Sequence, residues 1–354
     1  MTVRKSMSRF WTRRAFLGTS LAACLPLAAE GLARTERSSS SATSNSGTSN
    51  SSTSNSGASK SETDTIAGGW HLGIITDEIS QKLEDALDFI SSYHLPGCEL
   101  REFWGRNIMN TSAADLDHAR RLISEHSLRV SDIASPIFKW NLPQMPAHDE
   151  PRDNFGAAFT DRDADKLLHQ AFELAHSFGT SKVRIFSYWR VPEPEKAYPY
   201  VRDRLAQAAE LAGRNDILLV LENEHTCNAG TGREAGKLIA EINSPHLKVN
   251  WDPGNAAMLG ETPYPDGYHA VRGLMGHLHI KDVRKDAAGK LHWAPVGGGF
   301  IDWRGQFKAL QRDGYNDTMS LETHYRRPDG NTLESTRESL TGLLKIVQEI
   351  PRTA

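Results

Sequence analysis

From Trp70 onward, short runs rich in aliphatic and β-branched residues alternate with amphipathic or glycine-terminated helical runs, the pattern of βα units around a parallel sheet. The predicted strands are His71–Glu78, Gly97–Glu102, Arg129–Ser135, Lys182–Tyr188, Ile217–Asn223, Leu247–Asp252, His277–Lys281 and Thr318–Thr323. Asp163 to Phe178 reads as a helix, with Leu167, Leu168, Ala171, Leu174, Ala175 and Phe178 on one face and Gly179 as its stop; Val201 to Ala212 ends likewise at Gly213. Eight βα units in about 285 residues have the size and count of a (β/α)8 TIM barrel, placed here over residues 66–350. A doubly wound open sheet is the runner-up. It calls for a glycine-rich turn after the first strand, whereas that strand runs into Thr76-Asp77-Glu78-Ile79-Ser80. The longest gap leaves an excursion, Phe138 to Phe159, rich in Pro, Asn and Asp, which is a candidate lid.

In such a barrel the residues at the C-terminal strand ends face the substrate. The fifth to eighth strands end in Leu221-Glu222-Asn223-Glu224, Asn250-Trp251-Asp252, His277-Leu278-His279-Ile280-Lys281 and Ser320-Leu321-Glu322. Alternation with period two puts Glu222, Asp252, His279 and Glu322 on faces that agree with one another. A single carboxylate at a strand end is often only a helix cap. Four such groups on consecutive strands form an oxygen-rich site for one divalent metal ion, suited to Mn2+, Mg2+ or Co2+ and usable by Zn2+. Glu99 and Arg101 on the second strand, Arg184 on the fourth and Lys281 on the seventh also point inward and are candidate substrate contacts, with a buried ion-pair network as the competing role. His225, His277 and His324 read as loop or supporting residues. Cys98 and Cys227 fall in places that do not suit a bridge.

Gly73-Ile-Ile-Thr-Asp-Glu-Ile79, Cys98-Glu-Leu-Arg101, Val183-Arg-Ile-Phe-Ser187, Leu221-Glu-Asn223, Trp251-Asp-Pro-Gly-Asn255, His277-Leu-His-Ile-Lys-Asp282, Gly297-Gly-Gly-Phe-Ile-Asp-Trp303 and Ser320-Leu-Glu322 together resemble the sugar phosphate isomerase/epimerase family of xylose-isomerase-like TIM barrels, over Gly69 to Gln348. The resemblance implies Glu222, Asp252, His279 and Glu322 as metal ligands. It also implies that Glu222 and Glu322 act as the acid/base pair on the carbon next to a carbonyl, with the metal lowering the cost of the enediolate. The chain departs from the ketose epimerases at Asn255, where they carry a histidine; Asn255 takes up no proton and is read as a substrate contact. Arg284 only loosely matches the arginine those enzymes place after the metal histidine. The implied activity is a metal-dependent isomerase or epimerase on a small carbohydrate. The alternative is a lyase or dehydratase on oxidised (3-keto) glycosides, and a third reading is a non-catalytic sugar-binding protein, against which the intact Glu222 and Glu322 speak. An endonuclease on this fold would want more histidines and a basic surface.

The charge distribution bears on that last point. Residues 1–33 carry five bases and one acid, which leaves the remainder at −7 against −3 for the whole chain, so no basic footprint for nucleic acid is present. Within 1–33, Arg13-Arg14 followed by Phe16-Leu17 and an apolar stretch too short to span a bilayer reads as a twin-arginine-type signal peptide, predicting an exported, periplasmic protein. Leu21-Ala22-Ala23-Cys24 resembles a lipoprotein box, which makes a lipid anchor at Cys24 the alternative to a freely soluble product. Residues 34–65 are dominated by Ser, Thr, Asn and Gly with a five-residue near-repeat and are predicted to be a disordered linker.

Overall fold

The computed structural model describes residues 67–143, 145 and 152–352. The expected signal peptide, the linker and Cys24 lie outside these described residues. Eight parallel strands, β1 (Leu72–Ile75), β2 (Gly97–Leu100), β3 (Arg129–Ile133), β4 (Lys182–Ile185), β5 (Leu218–Glu222), β6 (Leu247–Trp251), β7 (Met275–Ile280) and β8 (Met319–Leu321), close into a barrel in sequence order, with β8 returning to β1. The main helices between and after them are α1 (Leu83–Ser92), α2 (Ala113–Glu125), α3 (Ala164–Ser177), α4 (Pro194–Gly213), α5 (Gly232–Ile242), α6 (Tyr268–Val271), α7 (Trp303–Arg312) and α8 (Thr332–Glu349). The (β/α)8 expectation holds. No described helix is long and apolar enough to cross a membrane.

The two faces of the strands explain the architecture. Leu219, Leu221, Val249, Trp251, Leu278 and Ile280 are fully buried in the apolar core outside the barrel. The alternate residues point inward and are polar: Glu99 on β2, Asp132 on β3 and His277 and His279 on β7 reach one another across the interior. Such an interior is tolerable only because its charges are paired. The helix ends follow local chemistry. Thr231 and Glu234 cap α5 reciprocally, and α3 stops where Gly179 adopts φ +72°. Trp70 closes the N-terminal end of the barrel, its indole N–H donating to the Ile350 carbonyl at 3.1 Å and its ring packed edge-on against Phe307.

Most expected strands run past their observed ends. The first does not continue to Glu78: β1 stops at Ile75 and Thr76–Ile79 forms one helical turn, which lets both Asp77 and Glu78 reach Arg101. The excursion after β3 begins as an extension of the sheet, since the carbonyls of Ile137, Phe138 and Trp140 accept the N–H groups of Phe186, Tyr188 and Trp189. Cys98 and Cys227 are buried and unbridged.

Candidate metal centre

Glu222 is the last residue of β5, Asp252 and Glu322 directly follow β6 and β8, and His279 lies near the end of β7. All four are at most 1% exposed, and one donor atom from each falls within 4.8 Å of the others. His279 Nδ1 is the focus: it is 3.2 Å from Glu322 Oε2, 3.5 Å from Glu222 Oε1 and 3.9 Å from Asp252 Oδ2. Asp252 performs two tasks at once. Its Oδ1 caps the short helix Pro253–Met258 by accepting the Asn255 N–H at 2.8 Å, and its Oδ2 turns toward the cluster. Asn223 fixes it there, accepting the Asp252 N–H at 2.7 Å and donating to its carbonyl at 2.8 Å.

The residues fit a divalent cation on two counts. Glu222 Oε2, Asp252 Oδ2 and His279 Nδ1 are buried and make no well-formed hydrogen bond; their nearest charged neighbours are Arg184 at 3.2 Å, Lys281 at 2.8 Å and Glu322 at 3.2 Å, so three convergent donor atoms retain lone pairs for an ion. The site is also short of positive charge. Burial opposes a proton on His279, yet Glu99, Glu222 and Glu322 together outweigh it and push the imidazole well above its ordinary range. A metal at this point would meet the same demand with the ring neutral, and the carboxylate and imidazole set suits a hard or borderline ion.

A layer of partners holds the ligands. Glu99 accepts the Nε2–H of His279 at 3.1 Å and that of His277 at 3.1 Å, leaving Nδ1 of His279 as the free donor. Arg101 binds Glu322 Oε1 at 2.6 Å, Asp77 at 2.7 Å and Glu78 at 2.8 Å. Arg184 places Nη1 3.2 Å from Glu222 Oε2 and donates Nη2 to the Ala134 carbonyl. Asn255 donates to Glu222 Oε1 at 3.1 Å, and Lys281 Nζ lies 2.5 Å from Glu322 Oε2 and 2.8 Å from Asp252 Oδ2. Glu99, Arg101, Arg184, Asn255 and Lys281, expected from the sequence to contact substrate or to form a buried ion-pair network, all lie buried against the four residues of the cluster, Arg101 being the most exposed of them at 4%. A cation beside a buried carboxylate pairs with it, because leaving either one unpaired is costly.

Several residues of the site escaped the sequence reading. Glu224 is buried; burial works against its ionisation, but Lys139 and His225 hold it well below the usual carboxylate range, His225 at 2.9 Å. It shares the inward face with Glu222, so the period-two pattern of Glu-Asn-Glu carried its signal. Lys139, at the start of the excursion, and Trp293, on the second strand of a hairpin formed by Asp282–Lys285 and Leu291–Ala294, lie outside the barrel strands whose period was read. His324 lies 3.1 Å from Glu322 Oε1, closer to the ligands than a loop position suggests. Among the described residues, two further groups have ligand spacing, Glu99-His277-His279 and Glu78-Glu322-His324. The donors of the first bond one another, and Glu78 is taken by Arg101 and by Arg326 at 3.0 Å, so both are ion-pair networks.

The family model of the xylose isomerase-like TIM barrel matches residues 87–346. Among solved structures, a xylose isomerase-like TIM barrel protein from Mycobacterium smegmatis in complex with magnesium is 19% identical over 75% of this chain and 88% of its own, with a TM-score of 0.56. The 3-keto-D-glucoside 4-epimerase of E. coli is 17% identical over 78% of this chain and 98% of its own, TM-score 0.57. A probable 3-DHS dehydratase from Bacillus anthracis is also 17% identical, over 75% and 97%, TM-score 0.57. At these identities the likeness is one of fold. With the family model covering most of the barrel, the chain belongs to the xylose isomerase-like TIM barrel family.

Proposed function

We propose that the barrel is a metal-dependent isomerase or epimerase that moves a proton at a carbon next to the carbonyl of a sugar. The observation that carries this reading is the convergence of Glu222, Asp252, His279 and Glu322, one donor atom from each within 4.8 Å of the others in a buried site. A bound divalent ion would polarise the carbonyl and a neighbouring hydroxyl oxygen and so acidify the C–H bond beside them. Glu222 and Glu322 enter from β5 and β8 as the pair that exchanges that proton, one removing it and the other returning it. Glu222 retains an oxygen free of hydrogen bonds. Glu322 has one oxygen held by Arg101 and the other by Lys281, and although burial opposes its charge, Lys281, His324 and His279 keep it ionised well below the usual range.

The test is a turnover screen on keto-sugars with Mn2+, Mg2+, Co2+ or Zn2+ restored to the protein. Glu222→Gln and Glu322→Gln each keep shape and remove a base, so turnover should fall by about 10²–10⁴; near-full turnover in both would sink the mechanism. His279→Ala should lose metal first and activity with it, read by elemental analysis. A product of the same mass as the substrate is the isomerase outcome, whereas loss of water or an aglycone makes the enzyme a lyase. We further propose export by the twin-arginine route, supported by Arg13-Arg14 ahead of Phe16-Leu17. Replacing both arginines by lysine should leave unprocessed precursor in the cytoplasm, and normal export of that variant would overturn the reading.

A further inference from the structure

Trp293 lies on the hairpin that follows β7, and that hairpin is pinned at its base. The buried carboxylate of Asp282 accepts the N–H groups of Gly297 at 2.9 Å, Gly299 at 3.1 Å, Ile301 at 3.3 Å and its own neighbour Val283 at 2.8 Å. The indole itself is half-buried. Three polar side chains from three different loops surround it: Lys281 Nζ at 5.2 Å from the ring centroid, His324 at 5.2 Å and tilted 32°, and His225 at 6.0 Å and near edge-on. Each leads directly to the ligands. Lys281 touches Asp252 and Glu322, His324 touches Glu322, and His225 donates to Asn255 at 3.0 Å, which in turn donates to Glu222. Gly254 leaves room beneath for the Lys281 stem and the indole: a Cβ there would stand 2.4 Å from Lys281 Cγ and 3.1 Å from the indole Cζ3. Trp293 is therefore one layer out from the metal ligands, over the partners of three of them.

A second ring, Phe155, lies near the same cluster, but it is 7% exposed and enclosed by Lys139 at 3.8 Å, Arg101 at 4.9 Å and Arg184 at 5.2 Å. Trp293 is the ring with surface left to give. A cyclic sugar presents a flat face of C–H bonds and a rim of hydroxyls, and the electron-rich face of an indole attracts the first while donors and acceptors around it take the second. Here the rim partners are His225 and His324, while the buried Lys281 backs the ring from one face. An open-chain sugar offers no such face and loses more rotational freedom on binding.

We propose that Trp293 is the wall against which a ring-form sugar stacks, so that the substrate is a pyranose or glycoside carrying its carbonyl on the ring rather than an open-chain ketose. This rests on the carbohydrate reading above and narrows it. The test uses the full-length protein loaded with Mg2+ and two unreactive probes, methyl β-D-glucopyranoside and D-glucitol, with binding followed by ligand-observed NMR and tryptophan emission. The glycoside should bind and shift the emission of the wild type, and D-glucitol should bind more weakly. Trp293→Ala should weaken glycoside binding about tenfold, the scale of one aromatic contact. Trp293→Phe keeps a ring, so it should bind within about threefold of wild type while losing the emission change; it also covers the case in which the alanine variant fails to fold. Equal binding by wild type and Trp293→Ala, equal binding of the two probes, an emission change that survives in Trp293→Phe, or no glycoside binding at all would each overturn the inference and leave the metal and proton-transfer tests standing. Trp293-dependent binding in a protein that turns over no carbonyl sugar would instead uphold the stacking wall and sink the enzymatic reading.

Discussion

His279 can serve a metal because its other nitrogen is already committed. With Nε2–H held by Glu99, the ring has one orientation and one free donor. Glu99→Gln removes the charge that fixes this tautomer, and metal affinity measured by calorimetry should fall by about 10- to 100-fold, the usual cost of losing such a partner; unchanged affinity would mean that Glu99 only fills the interior. Glu78 supplies the pH dependence. Burial opposes its ionisation, but His324, Arg101 and Arg326 win and hold it at about 2 against an ordinary value of 4.5. Between these values the unfolded chain binds the proton and the fold does not, so the stabilisation is complete above about 4.5 and is lost as pH falls toward about 2. Glu78→Gln should flatten that part of a stability-against-pH curve followed by circular dichroism. The convergence of Glu222, Asp252, His279 and Glu322 was legible in the sequence because strand ends in a barrel point one way, so residue type and period were enough. Lys139 and Trp293 were not, since a residue outside the barrel strands acquires its neighbours only from the closed fold.

At the scale of elements, the eight strands could be read because each is an aliphatic run whose outer face the core must bury, and that pattern is local. Their ends could not. β8 stops at Leu321 and β6 at Trp251, just before the ligand each one delivers, because those residues exchange ladder geometry for polar partners such as the cap that Asp252 gives to Asn255. The helices show the complementary effect: α4 begins at Pro194, seven residues before the expected start, because a proline at the first helical position is prepared for the helix while its polar surroundings hide the apolar period. One contact between elements invites a direct test. In α8, a Cβ on Gly342 would lie 1.8 Å from the Val296 carbonyl oxygen, and that oxygen is backbone and cannot swing away. Alanine is worth about 1 kcal/mol more than glycine in a helix interior, which would favour Gly342→Ala on propensity alone. The clash should win, giving a net loss of about 1–3 kcal/mol in denaturant unfolding; a stabilised variant would show that α8 can slide off the loop before α7.

For the molecule as a whole, the arrangement would tie metal binding to closure of the barrel. The four candidate ligands come from β5, β6, β7 and β8, neighbouring strands that together form half of the ring. In the unfolded chain Glu222 and Glu322 are a hundred residues apart, so nothing there resembles the site, and an ion that binds only the folded state stabilises it by mass action. At a free metal concentration of 100 Kd the gain is about 2.7 kcal/mol, which for a domain of this size corresponds to a rise of roughly 4–5 °C in the unfolding midpoint. The same cation relieves the crowding of buried carboxylates that pulls a proton onto His279, so both effects act in one direction. Calorimetric scans in chelator and with added Mn2+, Mg2+, Co2+ or Zn2+ should therefore separate clearly for the wild type. His279→Ala should remove most of the separation, because a cluster without its nitrogen holds the ion weakly. Trp293→Phe should keep it in full, because that ring lies outside the ligand set. A wild-type midpoint that does not move between chelator and any of the four metals would mean that the convergent donors are satisfied by the Arg101, Arg184 and Lys281 network alone, and that the centre is structural.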